Sequence, residues 1–276
     1  MARRFSKQLI IALIFLLILS GFGFLVYYFS QPAPSCFDGI QNQGEEGIDC
    51  GGPCLPCELV NIKEIEILWI KALPGQNDFY DLAAQIKNPN QNYGSGQVPY
   101  HFELYDSKDN LIAQYSGSTF ILPNQTKYLV QARIEASQAS NRISEVNLSF
   151  GEIEWQKLED YQLPQLFIQQ KEYHLLESEE LGFSQAKGVL INKSNFYFDK
   201  IDIDILLFDS SHHLLALNTT EVRTLLAGQG RDFVATWFEK IEGQVSFVEM
   251  EAETNVFDPA NYLSPIKGEL ERFQEY

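Results

Sequence analysis

The sequence predicts an all-β protein: two tandem immunoglobulin-like β-sandwiches that follow a single N-terminal transmembrane helix and a small disulfide-rich neck. Three observations carry this. An uncharged apolar run extends from Leu9 to Phe29, every cysteine lies between Cys36 and Cys57, and a period-two apolar pattern near residue 100 recurs 103 residues later. The implied segments are a cytoplasmic tail (1–8), a signal anchor (9–29), a cysteine-rich neck (30–58), a first sandwich (59–158), a second sandwich (159–258) and a C-terminal tail (259–276).

Arg3, Arg4 and Lys7 precede the apolar run, and no acidic residue appears before Asp38. A helix over 9–29 rises about 1.5 Å per residue, enough for a bilayer core of roughly 30 Å, and a basic flank stays cytoplasmic. The lipid bilayer is then a partner through 9–29, the N-terminus is inside, and the remaining domains are extracytoplasmic in a single-pass cell-membrane protein. A cleaved signal peptide is the competing reading, with Ala33 to Ser35 as a weak cleavage site. After the run, 17 basic residues stand against 37 acidic ones, a net of −20. That balance excludes a nucleic-acid partner, because phosphate binding needs a basic face.

Four cysteines, Cys36, Cys50, Cys54 and Cys57, allow three pairings. An even, clustered set in an oxidising compartment reads as a disulfide staple for a segment too short to bury a core. The Cys54-Leu-Pro-Cys57 stretch has redox spacing, yet Gly51, Gly52, Pro53 and Pro56 deny it the helix that such chemistry uses. A zinc site is the other alternative, although the spacing lacks paired knuckles. Asp38, Asn42, Glu45 and Asp49 place oxygen ligands at intervals that suit either a calcium loop or plain turns. Calcium is therefore the one cofactor to be tested, and none is expected otherwise.

The spacing C-x-D-G-x-x-N-x-x-E-x-G-x-D-C-G-G-x-C-x-x-C from Cys36 to Cys57 resembles a cysteine-rich motif of many bacterial surface proteins. The resemblance implies an extracytoplasmic location and no activity.

Beyond Glu58 the pattern is that of strands. In "VPYHFELYDSKDNLIA", Val98, Tyr100, Phe102 and Leu104 alternate with mostly polar neighbours before a turn at Asp106 to Asn110. In "IDIDILLFDSSHHLLA", Ile201, Ile203, Ile205 and Leu207 take the same places before Asp209-Ser210. "QIKNPN" at Gln85 to Asn90 parallels "VLINKS" at Val189 to Ser194, and "ILPNQTKYLV" parallels "TLLAGQGRDFV". A repeat of this length means a duplicated domain, not a solenoid. Many short strands with little helical periodicity indicate sandwiches of immunoglobulin-like shape.

Phe102-Glu103-Leu104-Tyr105-Asp106 resembles the signature of the FxLYD family, which is similar to late-embryogenesis-abundant type β-sandwiches. Phe102, Leu104, Tyr105 and Asp106 carry the motif. The second copy keeps Leu207, Phe208 and Asp209 but has Ile205 for Phe and lacks the Tyr105 hydroxyl. The resemblance implies a binding or accessory module without a shared catalytic site.

No G-x-S-x-G, G-x-x-x-x-G-K or H-E-x-x-H element occurs. His101, His212 and His213 fall on an outward strand face or in a turn, and the acidic pairs Glu152/Glu154 and Asp202/Asp204 fall on polar strand faces that keep the surface soluble. The expected function is a non-enzymatic, membrane-anchored extracytoplasmic binding or scaffolding protein of the cell envelope, with an envelope protein or a glycan as partner. A calcium-stiffened surface adhesin and a surface hydrolase are the alternatives.

Overall fold

Period-two patterning sorts side chains between the two faces of a strand. In β3 (Tyr93–Asp106), Val98, Tyr100, Phe102 and Leu104 are buried while His101 is exposed. In β10 (Phe198–Phe208), Ile201, Ile203, Ile205 and Leu207 are buried in the same manner. The computed structural model describes residues 2–30, 35–75, 79–135, 143–158, 162–177 and 181–263; in its helix, side chains are described at 11 and 13–28. The chain divides into two compact units, Met1–Ile62 and Lys63–Tyr276.

The first unit holds α1 (Ala2–Ser30) and the neck. Among the described residues no helix is long and apolar enough to cross a membrane. The predicted single-pass anchor over 9–29, and the membrane localisation built on it, are corrected accordingly. In the neck the cysteines pair as Cys36–Cys54 and Cys50–Cys57, leaving no free thiol. Of the predicted C-terminal tail, 264–276 lie outside the described residues, as do 159–161 at the predicted boundary between the two copies.

The second unit is all-β and antiparallel. Its first half comprises β1 (Glu66–Pro74), β2 (Phe79–Lys87), β3, β4 (Leu111–Ile121), β5 (Thr126–Glu135), β6 (Ile143–Phe150) and β7 (Gln156–Lys157). Its second half comprises β8 (Leu166–Leu175), β9 (Ser184–Asn192), β10, β11 (Leu214–Leu225), β12 (Gly230–Trp237) and β13 (Phe247–Glu253), then a short 3-10 turn, Pro259–Asn261. The sheets run β1-β2-β5 and β4-β3-β6, with β7 also on β3, and then β8-β9-β12 and β11-β10-β13. Apart from β7, the second half repeats the strand pairing of the first. Each half has its own core: Leu82, Ile86, Tyr100, Phe102, Leu104 and Leu129 in one, Leu190, Phe198, Ile203, Ile205, Leu207 and Phe233 in the other.

The repeat extends to the turns. Asn88 is fully buried, donates from Nδ2 to Tyr93 O and Leu122 O, and accepts from Asn90 N. Asn192, also fully buried, donates to Phe196 O and Leu225 O and accepts from Ser194 N. One amide side chain thus satisfies backbone groups of two turns that would otherwise be buried without partners. At the hairpins, the Asp106 carboxylate accepts from Lys108 N and Asn110 N, and the Asp209 carboxylate from Ser211 N and His213 N. The motif aspartate therefore builds a turn, the local role its residue type favours.

Phe102→Ala is expected to cost about 3–5 kcal/mol in a urea unfolding measurement, and Ile205→Ala about 2–5 kcal/mol. Tyr105 is half-buried and donates only to Glu103, 2.9 Å away, so Tyr105→Phe should stay within about 1 kcal/mol of the parent. A Phe102→Ala chain as stable as the parent would remove the case for this core.

Candidate functional site

From Asp202 to Phe208, the even-numbered residues of β10 point away from the core beneath them. Across β11-β10-β13 they form rows: Glu221, Asp202 and Glu253; then Thr219, Asp204 and Glu251; then Leu217, Leu206 and Glu249. The outer face is acidic at one end and apolar at the other. The apolar end does not meet solvent. Leu206, Phe208 and Leu217 form a third buried cluster with Ala83, against which Trp69, Tyr128, Val130 and Ala132 of the first copy pack. Leu206 and Leu207 are both fully buried, so β10 has no solvent-facing side there. Asp204, expected on a solvated polar face, is buried, because the first copy covers that face.

At the acidic end the contacts are ionic. Lys127, opposite Ile86 on the inner face of its sheet, is buried, with Nζ donating to Glu253 Oε1 at 2.6 Å, Thr119 Oγ1 at 3.0 Å and Phe120 O at 3.2 Å. The ammonium also lies 4.2 Å from the Phe120 ring centroid, so all sides of the cation are engaged. The Tyr128 backbone N–H donates to Glu251 Oε2 at 2.9 Å, and its hydroxyl to Glu249 Oε2 at 2.5 Å. Beyond β13, Asn255 Nδ2 donates to Gly96 O, and a Cβ at Gly96 would lie 2.5 Å from Phe257 Cβ. Glycine is required at that close approach.

The carboxyls titrate abnormally. Burial, followed by the charge of Glu253, holds Asp204 well above the usual carboxylate range. Burial pushes Glu251 up to about 7, with the Tyr128 N–H acting in the opposite direction. Burial also raises Glu253, though Lys127 opposes it. Tyr100 is raised by burial and by Tyr115. Between the two copies at this end lies a cavity of about 530 Å³, lined by Tyr100, Thr119 and Tyr128 from the first copy and by Asp202, Asp204 and Glu253 from the second.

The neck residues predicted as calcium ligands are brought together, but mostly onto backbone. Asp49 accepts from Asp38 N and Gly39 N, Glu45 from Asn42 N and Asp49 N, and Asp38 from Ser35 N, Ile40 N and Asn42 Nδ2. Among the described residues, three metal-type side chains converge only at Cys36, Glu45 and Cys54, whose two sulfurs are bonded to each other. His101 contacts Ser116, and His213 contacts Asp209, on separate exposed strands and turns. A scan against protein-family models finds no match, and a search of curated proteins finds no relative.

Lys127, Asp204, Glu251 and Glu253 were not marked by any motif. Their signal was Leu206-Leu207-Phe208, a run without alternation, which reports a strand covered on both faces.

Lys127→Met should destabilise the chain by about 3–5 kcal/mol near neutral pH, since Glu253 would be left as an uncompensated buried charge, and adding Glu253→Gln should recover most of that loss. Carboxyls that keep their protons to higher pH when folded make the folded state bind more protons than the unfolded state. Stability contributed by Glu251 is therefore complete below about pH 4 and is lost as pH rises through about 7, and the raised Asp204 acts in the same direction. The thermal midpoint should be lower at about pH 8 than at about pH 5, and Glu251→Gln should flatten that slope.

Proposed function

We propose that the protein is a non-enzymatic binding or scaffolding module, in which two FxLYD-like, immunoglobulin-like sandwiches in tandem present loops and strand edges to another protein or a glycan. The observation that supports this most directly is the junction. The second copy spends the outer face of its β11-β10-β13 sheet on the first copy, which fixes how the remaining edges and loops are displayed.

Several observations agree with it. The Ser116 hydroxyl and the His101 ring, 2.7 Å apart, lie on an exposed strand face, and His213 is paired with Asp209 at a hairpin turn. The neck acids are engaged in holding their own turns, so the neck is assigned a structural role: two covalent links and a set of carboxylate to N–H bonds order a segment with little core. Calcium should then leave the thermal midpoint unchanged, whereas specific binding would raise it with ligand excess.

Photo-crosslinking residues placed at the exposed Leu111 and Val234 of the intact protein, in the cells that make it, test the proposal. A discrete adduct to one protein or glycan that disappears when Leu206→Asp splits the junction is the expected result. Turnover of a polymeric substrate, abolished by Asp204→Asn, would replace this reading with a hydrolase.

A further inference from the structure

The charges lining the junction cavity are not evenly matched. Lys200 pairs with Asp202 at 2.8 Å, Arg223 lies 3.6 Å from Asp199, and Lys127 pairs with Glu253 through Oε1 only. Glu253 Oε2 is buried without a hydrogen-bond partner. Asp204 is 8% exposed, lines the cavity, and accepts no hydrogen bond from the described residues. A buried carboxylate in that condition costs several kcal/mol unless it is neutralised, by a proton or by a partner.

We propose that this cavity binds a small organic cation with a primary ammonium group, seated on Asp204 and the free oxygen of Glu253. The inference rests on the binding-module reading and names a ligand class for it. A primary ammonium brings three donors, and the acceptors to meet them are present in the Asp204 carboxylate, Glu253 Oε2 and the hydroxyl groups of the wall. A metal ion is a poorer match, because among the described residues no three carboxylate, histidine or thiolate ligand atoms of this cavity come within 4.8 Å of one another. The volume, about 530 Å³, lies in the range of small-molecule sites. Acidity continues outward to the exposed Asp258, which offers a second ammonium a place at the mouth. An ammonium seated there would meet the carboxylate of Asp204, so a group whose burial is costly by itself becomes the anchor of the bound cation.

Calorimetric titration of the full chain with butane-1,4-diamine at low salt tests this, with magnesium chloride as comparator. A saturable single-site heat is expected, weakened roughly ten- to hundredfold by Asp204→Asn, the usual loss for one charge-assisted hydrogen bond. Thr219 is the cross-strand neighbour of Asp204, so Thr219→Lys tethers an ammonium in the cavity. That variant should melt higher than the parent and no longer bind the diamine, and it decides the matter if Asp204→Asn fails to fold. Absence of saturable heat, equal binding by Asp204→Asn, or saturation by magnesium in place of the diamine overturns the proposal. A crosslinked partner without diamine binding defeats this inference and leaves the module reading intact; diamine binding without a partner does the reverse.

Discussion

Everything in the larger unit depends on one covered surface, the outer face of β11-β10-β13. Its apolar half meets Ala83, Trp69 and Val130, and that burial supplies the non-directional attraction between the copies. Its polar half supplies direction. Lys127 and Glu253 are 2.6 Å apart with most of their surface removed from water. Such a pair roughly cancels its own desolvation cost and is a poor source of net stability. It is a strict condition on register, however, because sliding one copy along the other would strand a buried ammonium and several buried carboxyls.

The two halves repeat one strand pairing, and they part where one outer face is covered. On the inward side the same places are filled by the same kind of residue: Phe102 and Leu104 in one, Ile205 and Leu207 in the other, all fully buried. On the outward side, His101, Glu103 and Tyr105 of the first copy correspond to Asp204, Leu206 and Phe208 of the second. The first set is exposed or half-buried, and Tyr105 has a carboxylate to satisfy its hydroxyl. The second set is buried, and a phenylalanine there has no hydroxyl to satisfy. The change from Tyr to Phe in the motif thus follows from covering one outer face and leaving the other open.

The neck obeys a different economy. With little apolar surface to bury, it takes its order from two disulfides and from carboxylates turned onto backbone N–H groups. Glu45, which lies buried between turns, joins Asn42 and Asp49. The same residue types would serve a cation loop or a turn, and only the direction of their oxygens separates the two.

By itself the sequence determined the local and periodic features. Alternation at Val98 to Leu104 and at Ile201 to Leu207 set strands and their inner faces, the 103-residue offset carried over to the repeated strand pairing, and Asp106 and Asp209 marked their hairpins. These are short-range properties, written in neighbouring residues. Cysteine pairing, the covering of Asp204, the reach of Lys127 to Glu253 across 126 positions and the cavity between the copies were decided only by the tertiary structure. A polar face reads alike in sequence whether water or another sheet lies against it, and only the packed chain determines which of the two charges its carboxyls meet.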